Sequence, residues 1–414
     1  TGGNNEALLL DTSQNATFAG TINGVGISYN ITNFSESMLI SNDAGTGILS
    51  TATGNTGFGH EVFDDLTSGD NNTAMGHESG DALTSGSLNT FIGSNAGGAN
   101  QSSDSNTAIG AYAFDVGTGA ANTAVGAGAL GGANNTAANN VAVGADAGNA
   151  ISSGHSNTYA GYHAGKLNTV GLRNVAIGKG ALASDINGSQ NVAVGYNALE
   201  NQEADGSTSN NTLNTAVGSQ AGAAMSTGYY NTIIGGIAGD AMDEGLENTL
   251  VGYGAGGALT DGSDNTAIGK ESLGSDTRGS RSVALGYKAL QNQDFTSATA
   301  SAQITYNTGV GYSSGNSVTS GVQNTFVGYY SAEATTDADY NVAIGYNALS
   351  VNVLGSKSTA VGHNALLFQR PVSGGSDTAA DMHNTAVGYG AASQITTGKY
   401  NTAIGSLAGD AINS

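Results

Sequence analysis

The chain has 414 residues, with 66 Gly, 1 Pro, no Cys and no Trp, and 32 Asp and Glu against 10 Lys and Arg give a net charge of −22. That balance repels nucleic-acid backbones and anionic membranes, which are held by Lys and Arg, and a chain without Cys has neither disulfides nor Cys-ligated metals. A single Pro and few aromatics exclude collagen, a Pro-rich disordered chain and a thick conventional core, and no apolar run of about 18 residues reads as a membrane span.

Residues 1–54 hold β-type stretches such as Ala16-Thr17-Phe18 and read as an N-terminal shaft or connector. From residue 55 to residue 414 a short phrase recurs. Two consecutive copies are NTLVGYGAGGALTDGSD (248–264) and NTAIGKESLGSDTRGSR (265–281). Each opens with Asn at place one and reaches Gly at place five. The fifth-place Gly occurs twenty times between Gly59 and Gly405, and fourteen of the nineteen spacings are 17 residues. Gly59, Gly76, Gly93, Gly235, Gly252 and Gly269 are examples. Asn holds place one in eighteen copies, among them Asn231, Asn248 and Asn265, with Ser282 and Ser358 as the exceptions.

Places two to four are small or β-branched and favour a strand. Each copy reads as strand, tight Gly turn, second short strand and polar turn, with no 3.6-residue stripe for a helix. One coil buries two or three apolar side chains at ~1.5–3 kcal/mol each. Ordering its backbone costs ~1–2 kcal/mol per residue. Coils must therefore stack, and a parallel β-solenoid of about twenty coils is the predicted all-β fold. The Gly fits a bend of positive φ or a close approach of neighbouring chain. The Asn side chains either ladder from coil to coil or cap their own turns.

The fourth-place Val or Ile is expected to fill the roll, beside the Ala and Leu of places eight and nine. The third-place Ala is then expected outward, since neighbouring strand residues face opposite ways. An outward small or apolar stripe is sticky, and closed self-association is the usual way to hide it. Three spacings of 23, 25 and 26 residues insert loops near 200–213, 291–306 and 367–383. Recognition is expected in such loops, above all at Phe368, Gln369, Arg370 and Pro371, where an aromatic ring beside Arg suits a glycan or acidic group.

Other chemistry is thinly signalled. GAGALG (126–131) and GYGAGG (252–257) match a dinucleotide pattern, but no helix follows. His60 and His77 share place six in adjacent coils and are the candidate divalent-metal ligands. Place six is Tyr in eight copies, and the doublets Tyr229-Tyr230 and Tyr329-Tyr330 could stack on sugars. Asp64 with Asp65, and Asp243 with Glu244, read as solvated turn charges. No nucleophile elbow or repeated calcium pattern occurs, so neither an enzyme nor a cofactor is expected.

The segments RSVALG (281–286), KSTAVG (357–362), NVAIG (174–178) and NTAVG (122–126) resemble the head repeats of YadA-like trimeric autotransporter adhesins, and also Asn-Thr-Ala-Ile-Gly repeats of long bacteriophage tail fibres. The resemblance covers 55–414, and residues 7–27 are similar to the segment preceding such repeats in phage fibres. It implies a left-handed parallel β-roll assembled as a homotrimeric fibre, intertwined or side by side. It also implies a virion or cell-surface location, a host-surface glycan or protein receptor, and a baseplate or fibre-anchoring protein bound through the N-terminal region. A phage tail fibre is the leading expectation and a bacterial surface adhesin or extracellular filament subunit the alternative. The stop at Ser414, fourteen residues into the last copy, fits a processed C-terminal part.

Overall fold

A computed structural model describes residues 9–10, 16–17, 21–22, 25–31, 34–41, 50–132, 135–203, 210–294, 303–371 and 379–413. It is all-β, a parallel solenoid of about twenty coils. Among the described residues there is no helix, and none long and apolar enough to cross a membrane. The chain divides into two compact units, Thr1–Gly188 with Ser207–Ser209, and Ser189–Gly206 with Asn210–Ser414.

In the first unit, strand Phe34–Ser41 pairs antiparallel with Val25–Ile31 and parallel with Thr56–Phe58. Met38, Leu39 and Ile40 lie in register with Thr56, Gly57 and Phe58, and Ser37 Oγ accepts from Asn55 N–H at 2.8 Å. Ser37-Met38-Leu39-Ile40 thus occupies places one to four of a rung that the glycine ruler does not mark. It gives the first repeat strand a partner.

Each coil has a single three-residue strand, such as Thr249–Val251, paired in register with Thr266–Ile268. Among the described residues no strand follows directly on the Gly turn; the second short strands lie instead just before place one in the coils around the loop insertions, as Gly279–Ser280 paired with Gln303–Ile304 and Gly355–Ser356 paired with Ala380–Asp381. Positive φ recurs instead at places five, seven and nine, as in Gly286, Lys288 and Leu290. With this backbone, places five and seven donate back to the preceding coil and places nine and eleven forward to the next, as Gly254 to Gly236 O (3.1 Å) and Ala258 to Gly274 O (3.1 Å). Gly252 donates back to Ile234 O (2.7 Å) and Gly256 forward to Ser272 O (2.9 Å). The turn half is therefore laddered without being a strand, and its backbone polar groups are satisfied as burial demands.

The expected facing of the strand is reversed. Place three points inward: Ala267, Ala284, Phe326 and Tyr159 are fully buried. Place four points outward, where Ile268 is 36% exposed, Ile234 40% and Val143 43%. The reason is the narrowness of the roll. Place nine reaches across from the opposite wall, so places three and nine share one space. Phe91 lies beside Gly97, Tyr159 beside Gly165 and Phe326 beside Gly315, and a Cβ on these glycines would come within 2.6, 2.4 and 2.6 Å of the rings. In the coils of Ala193, Ala284 and Ala360, place nine is buried Leu199, Leu290 or Leu366, whereas in the coil of Ala142 place nine is Gly148, where a built Cβ would come within 2.8 Å of the next coil's Tyr159 ring. Those leucines hold φ of 48°, 49° and 48°, a region that bulky residues rarely enter. Burial of an apolar side chain, at ~1.5–3 kcal/mol, offsets that strain.

A side-chain ladder and a close backbone approach fix the spacing. Asn248 N and Nδ2 both donate to Asn231 Oδ1 (2.9 and 3.1 Å), and Nδ2 also donates to Gly262 O (2.9 Å). Asn265 N repeats the first bond to Asn248 Oδ1 at 3.0 Å. The Asn side chains are thus a buried coil-to-coil ladder. At place five both expected reasons for Gly hold. Gly252 has φ +135°, and a Cβ there would lie 2.6 Å from Gly269 O. The same contact is 2.1 Å at Gly59, 2.4 Å at Gly76, 2.5 Å at Gly93, 2.3 Å at Gly235 and 2.4 Å at Gly269.

Gly252→Val should therefore lower the melting temperature sharply, since strain alone is worth ~1–3 kcal/mol per site. Gly254→Asn should be nearly silent, because a Cβ there meets only Glu271 Cγ at 3.7 Å and Asn197 and Asn347 already hold the same place at φ 52° and 54°. Thermal denaturation followed by circular dichroism checks both. Equal melting of the two variants would contradict the close approach.

Candidate functional site

The sixth-place side chains form stacks along the outside of the coils. His60 and His77 stack at 5.0 Å with planes 5° apart. Their ligand atoms and those of Glu61 lie within 4.8 Å of one another. Imidazole lone pairs lie in the ring plane, so two parallel stacked rings do not aim at one point. One ring must turn before both can ligate an ion. As they stand, each His Nδ1 faces its neighbouring carboxylate, Glu61 or Glu78, at 3.5 Å.

In the second unit, Tyr287, Tyr312, Tyr329, Tyr346, His363 and Tyr389 stack in six consecutive coils at 4.8–5.4 Å. Lys270 lies 5.8 and 5.9 Å from the rings of Tyr253 and Tyr287. This arrangement counts against sugar stacking on the ladder, because the ring faces are spent on one another and edges face solvent. Tyr330 packs edge-on at 4.1 Å against Tyr329, and Tyr229 meets Tyr230 at 4.9 Å in the same way.

The loop insertions have a common foundation. Their central parts, 204–209, 295–302 and 372–378, lie outside the described residues. The residues that launch them are ALENQE (198–203), ALQNQD (289–294) and ALLFQR (365–370). Place twelve is Gln in all three, and Gln202, Gln293 and Gln369 are each 0% exposed. Gln369 therefore sits inside the coil, whereas the expectation for this loop placed it on the surface. Each Gln Oε1 accepts from the next first-place Asn: Asn214 at 2.6 Å, Asn307 at 2.8 Å and Asn384 at 2.8 Å. Two of these coils carry the exceptional first-place residues, Ser282 and Ser358. Ser is too short to continue the ladder, and the Gln supplies the missing acceptor. Sequence reading missed this, although a shared Gln before every long spacing was the available signal.

Below Gln293 sits Asp276, fully buried, with its carboxylate accepting from Gly279 N (2.8 Å) and Gln293 Nε2 (2.6 Å). Burial pushes this carboxyl up to about 6, against the opposing pull of hydrogen bonds from Gly279, Gln293 and Arg278. In the third interrupted region the same place is Asn352, which accepts from Gly355 N at 2.9 Å and donates to Gly355 O at 2.7 Å.

The backbones of the launching segments are held alike. Asn201, Asn292 and Phe368 each donate a backbone N–H to the following coil at 3.2, 3.0 and 3.1 Å, as do Glu203, Asp294 and Arg370 at 2.8, 3.1 and 2.8 Å. Phe368 (41% exposed) and Arg370 line an open cavity of about 500 Å3 with Val351, Gln394, Thr396 and Thr397. Pro371, next in the chain, is half-buried. Of the expected receptor residues, the structure brings Phe368 and Arg370 together on the surface and turns Gln369 inward.

No family model matches the chain, and no curated protein matches it.

Asp276 generates a pH prediction. Its folded pKa, about 6, lies above the ordinary 3.8, so the native state holds the proton more readily than the unfolded chain. Its contribution to stability is greatest below about pH 4 and is lost as pH rises through about 6. Asp276→Asn, which copies Asn352, should stabilise the protein at pH 7 by on the order of 2 kcal/mol and flatten stability between those pH values. Denaturant unfolding across that range tests this, and parallel curves for the two proteins would refute the buried-carboxyl assignment.

Proposed function

We propose that this chain is the body of a homotrimeric attachment fibre, best read as a phage tail fibre that presents a host-recognition surface. The observation that carries the proposal is the outward face of the strand. Places two and four carry no charged residue in any of the twenty copies, in a chain with 32 acidic residues. Ile234, Ile268, Leu285 and Ile344 stand exposed along it in the second unit, and Ile109, Val143 and Ile177 in the first. Twelve rungs at ~4.8 Å give the second unit an apolar stripe roughly 50 Å long. Monomeric soluble proteins rarely expose such a stripe.

Another copy of the same face is the fitting cover. It is apolar and regular with the same rise per coil, and it keeps the acidic turns outward, where three sets of like charge repel least. Closed rotational symmetry covers the stripe on every copy. A rigid stack with inserted loops on its outer turns then displays those loops along its side, which is how loops on a scaffold serve recognition. The homotrimer and the left-handed roll are what the repeat resemblance implies, and the outward stripe supports the assembly on independent grounds.

Sedimentation velocity tests the assembly. The wild-type chain should run as a trimer of the 40.7 kDa subunit. The double variant Ile268→Asp, Ile344→Asp should fall to monomers, because each trimer would bury six carboxylates without partners. Circular dichroism should stay β-type, since neither side chain packs inside its own coil. A wild-type monomer at micromolar concentration would overturn the proposal.

A further inference from the structure

The three launching segments invite comparison within one chain. At place eleven two of them carry Asn, and at place thirteen two of them carry an acid: Asn201 with Glu203, and Asn292 with Asp294. The third carries Phe368 and Arg370 at the same backbone positions, with matching hydrogen bonds to the next coil. The fold therefore does not require an aromatic ring or a cation there. In the second segment Asp294 serves the scaffold, accepting from Thr277 Oγ1 at 2.8 Å. Arg370 reverses that charge on a chain of net charge −22. Lys270, Arg278, Arg281, Lys288 and Lys357 each sit against a carboxylate. Arg370 has no such ion pair among the described residues, and it lines the cavity of about 500 Å3 with Phe368, Gln394, Thr396 and Thr397.

We infer that this cavity binds an anionic sugar residue of a surface polysaccharide. The inference rests on the attachment reading and names its ligand class. The exposed Phe368 ring offers an apolar face to the C–H side of a pyranose. Unlike the Tyr ladder, it has no ring stacked on it among the described residues. The Arg370 guanidinium offers a planar fork that matches a carboxylate or phosphate in two parallel hydrogen bonds. Gln394, Thr396 and Thr397 supply amide and hydroxyl groups for sugar hydroxyls, and Thr396 Oγ is oriented by donating to Asn413 O at 2.6 Å. A cavity of this size is within the range of small-ligand sites. An anion is repelled by most of this acidic surface; Arg370, like Arg173 and Lys399, has no carboxylate ion pair among the described residues, and Arg370 lines the cavity beside Phe368.

Calorimetric titration of the full chain with trigalacturonate, glucose 6-phosphate and the neutral maltotriose tests this at low salt. Trigalacturonate or glucose 6-phosphate should bind at least about tenfold tighter than maltotriose, the scale of a charge-assisted pair. Whichever anion binds identifies carboxylate or phosphate as the source. Arg370→Gln should abolish that preference, and Arg370→Glu, which installs the charge of the other two segments, should exclude both anions. Phe368→Ala should weaken every sugar that binds. Both side chains are exposed, so unchanged melting should accompany all three variants. Equal affinity for the neutral and anionic sugars, no binding by any, or an Arg370→Gln variant that keeps the preference would overturn the inference. Adsorption of the labelled protein to bacterial cells separates this from the attachment reading. Adsorption without anionic-sugar binding sinks the ligand class alone, whereas a wild-type protein that adsorbs to no cell sinks the attachment reading itself.

Discussion

A coil of this solenoid is about one side chain thick, and most of the structure follows from that. The strand wall and the turn wall share a single space. A large residue at place three, such as Tyr159 or Phe326, lies against Gly165 or Gly315, and a Leu at place nine, such as Leu290, shares its coil with a place-three Ala such as Ala284. An interior this narrow has no room for the β-branched residue at place four, which turns outward. Burial within one chain is then too small to stabilise a coil alone, and the deficit is met by stacking along the axis. The fifth-place Gly permits that stacking, because neighbouring coils pass too closely there for a Cβ.

Much of this was legible in the sequence because it recurs in almost every copy. The period, the strand at places two to four, the bend at Gly252 and its equivalents, and the Asn ladder all announce themselves by repetition. The facing of the strand did not. Val and Ile are the bulkiest common residues of the head, and bulk suggests core. The better signal was variation: place four stays medium-sized and apolar in nearly every copy, whereas places three and nine exchange volume, as Phe91 with Gly97 against Ala193 with Leu199. Residues that pack against each other trade size, whereas a residue that faces out of the roll has no partner within the coil to trade with. The second strand was misread for a related reason. Small residues in a Gly-rich run fit strand and turn equally, and only the alternating sign of φ at places such as Lys288 and Leu290 distinguishes them.

The candidate site was partly legible. Phe368 and Arg370 stood out as rare residue types in a chain poor in both, and they do share a surface cavity. Gln369 stood out with them by adjacency alone, yet it is an interior prop. Its role becomes visible when it is aligned with Gln202 and Gln293, each of which holds the next Asn where a loop leaves the stack. The chain thus separates two tasks. Regular places carry the stacking, and the departures from regularity, once propped from within, carry the candidate cavity.

The central claim, that copies of this chain cover the fourth-place stripe, is tested most directly by thiol labelling. The chain has no Cys, so a single Ile268→Cys reports its own surroundings, and Lys399→Cys on the exposed turn face serves as the reference. Within one copy Ile268 is 36% exposed, so a maleimide reaches a Cys there unless another molecule covers it. The account predicts labelling of Ile268→Cys far slower than of Lys399→Cys in native buffer, with the two rates converging in denaturant. Equal rates in native buffer would contradict it.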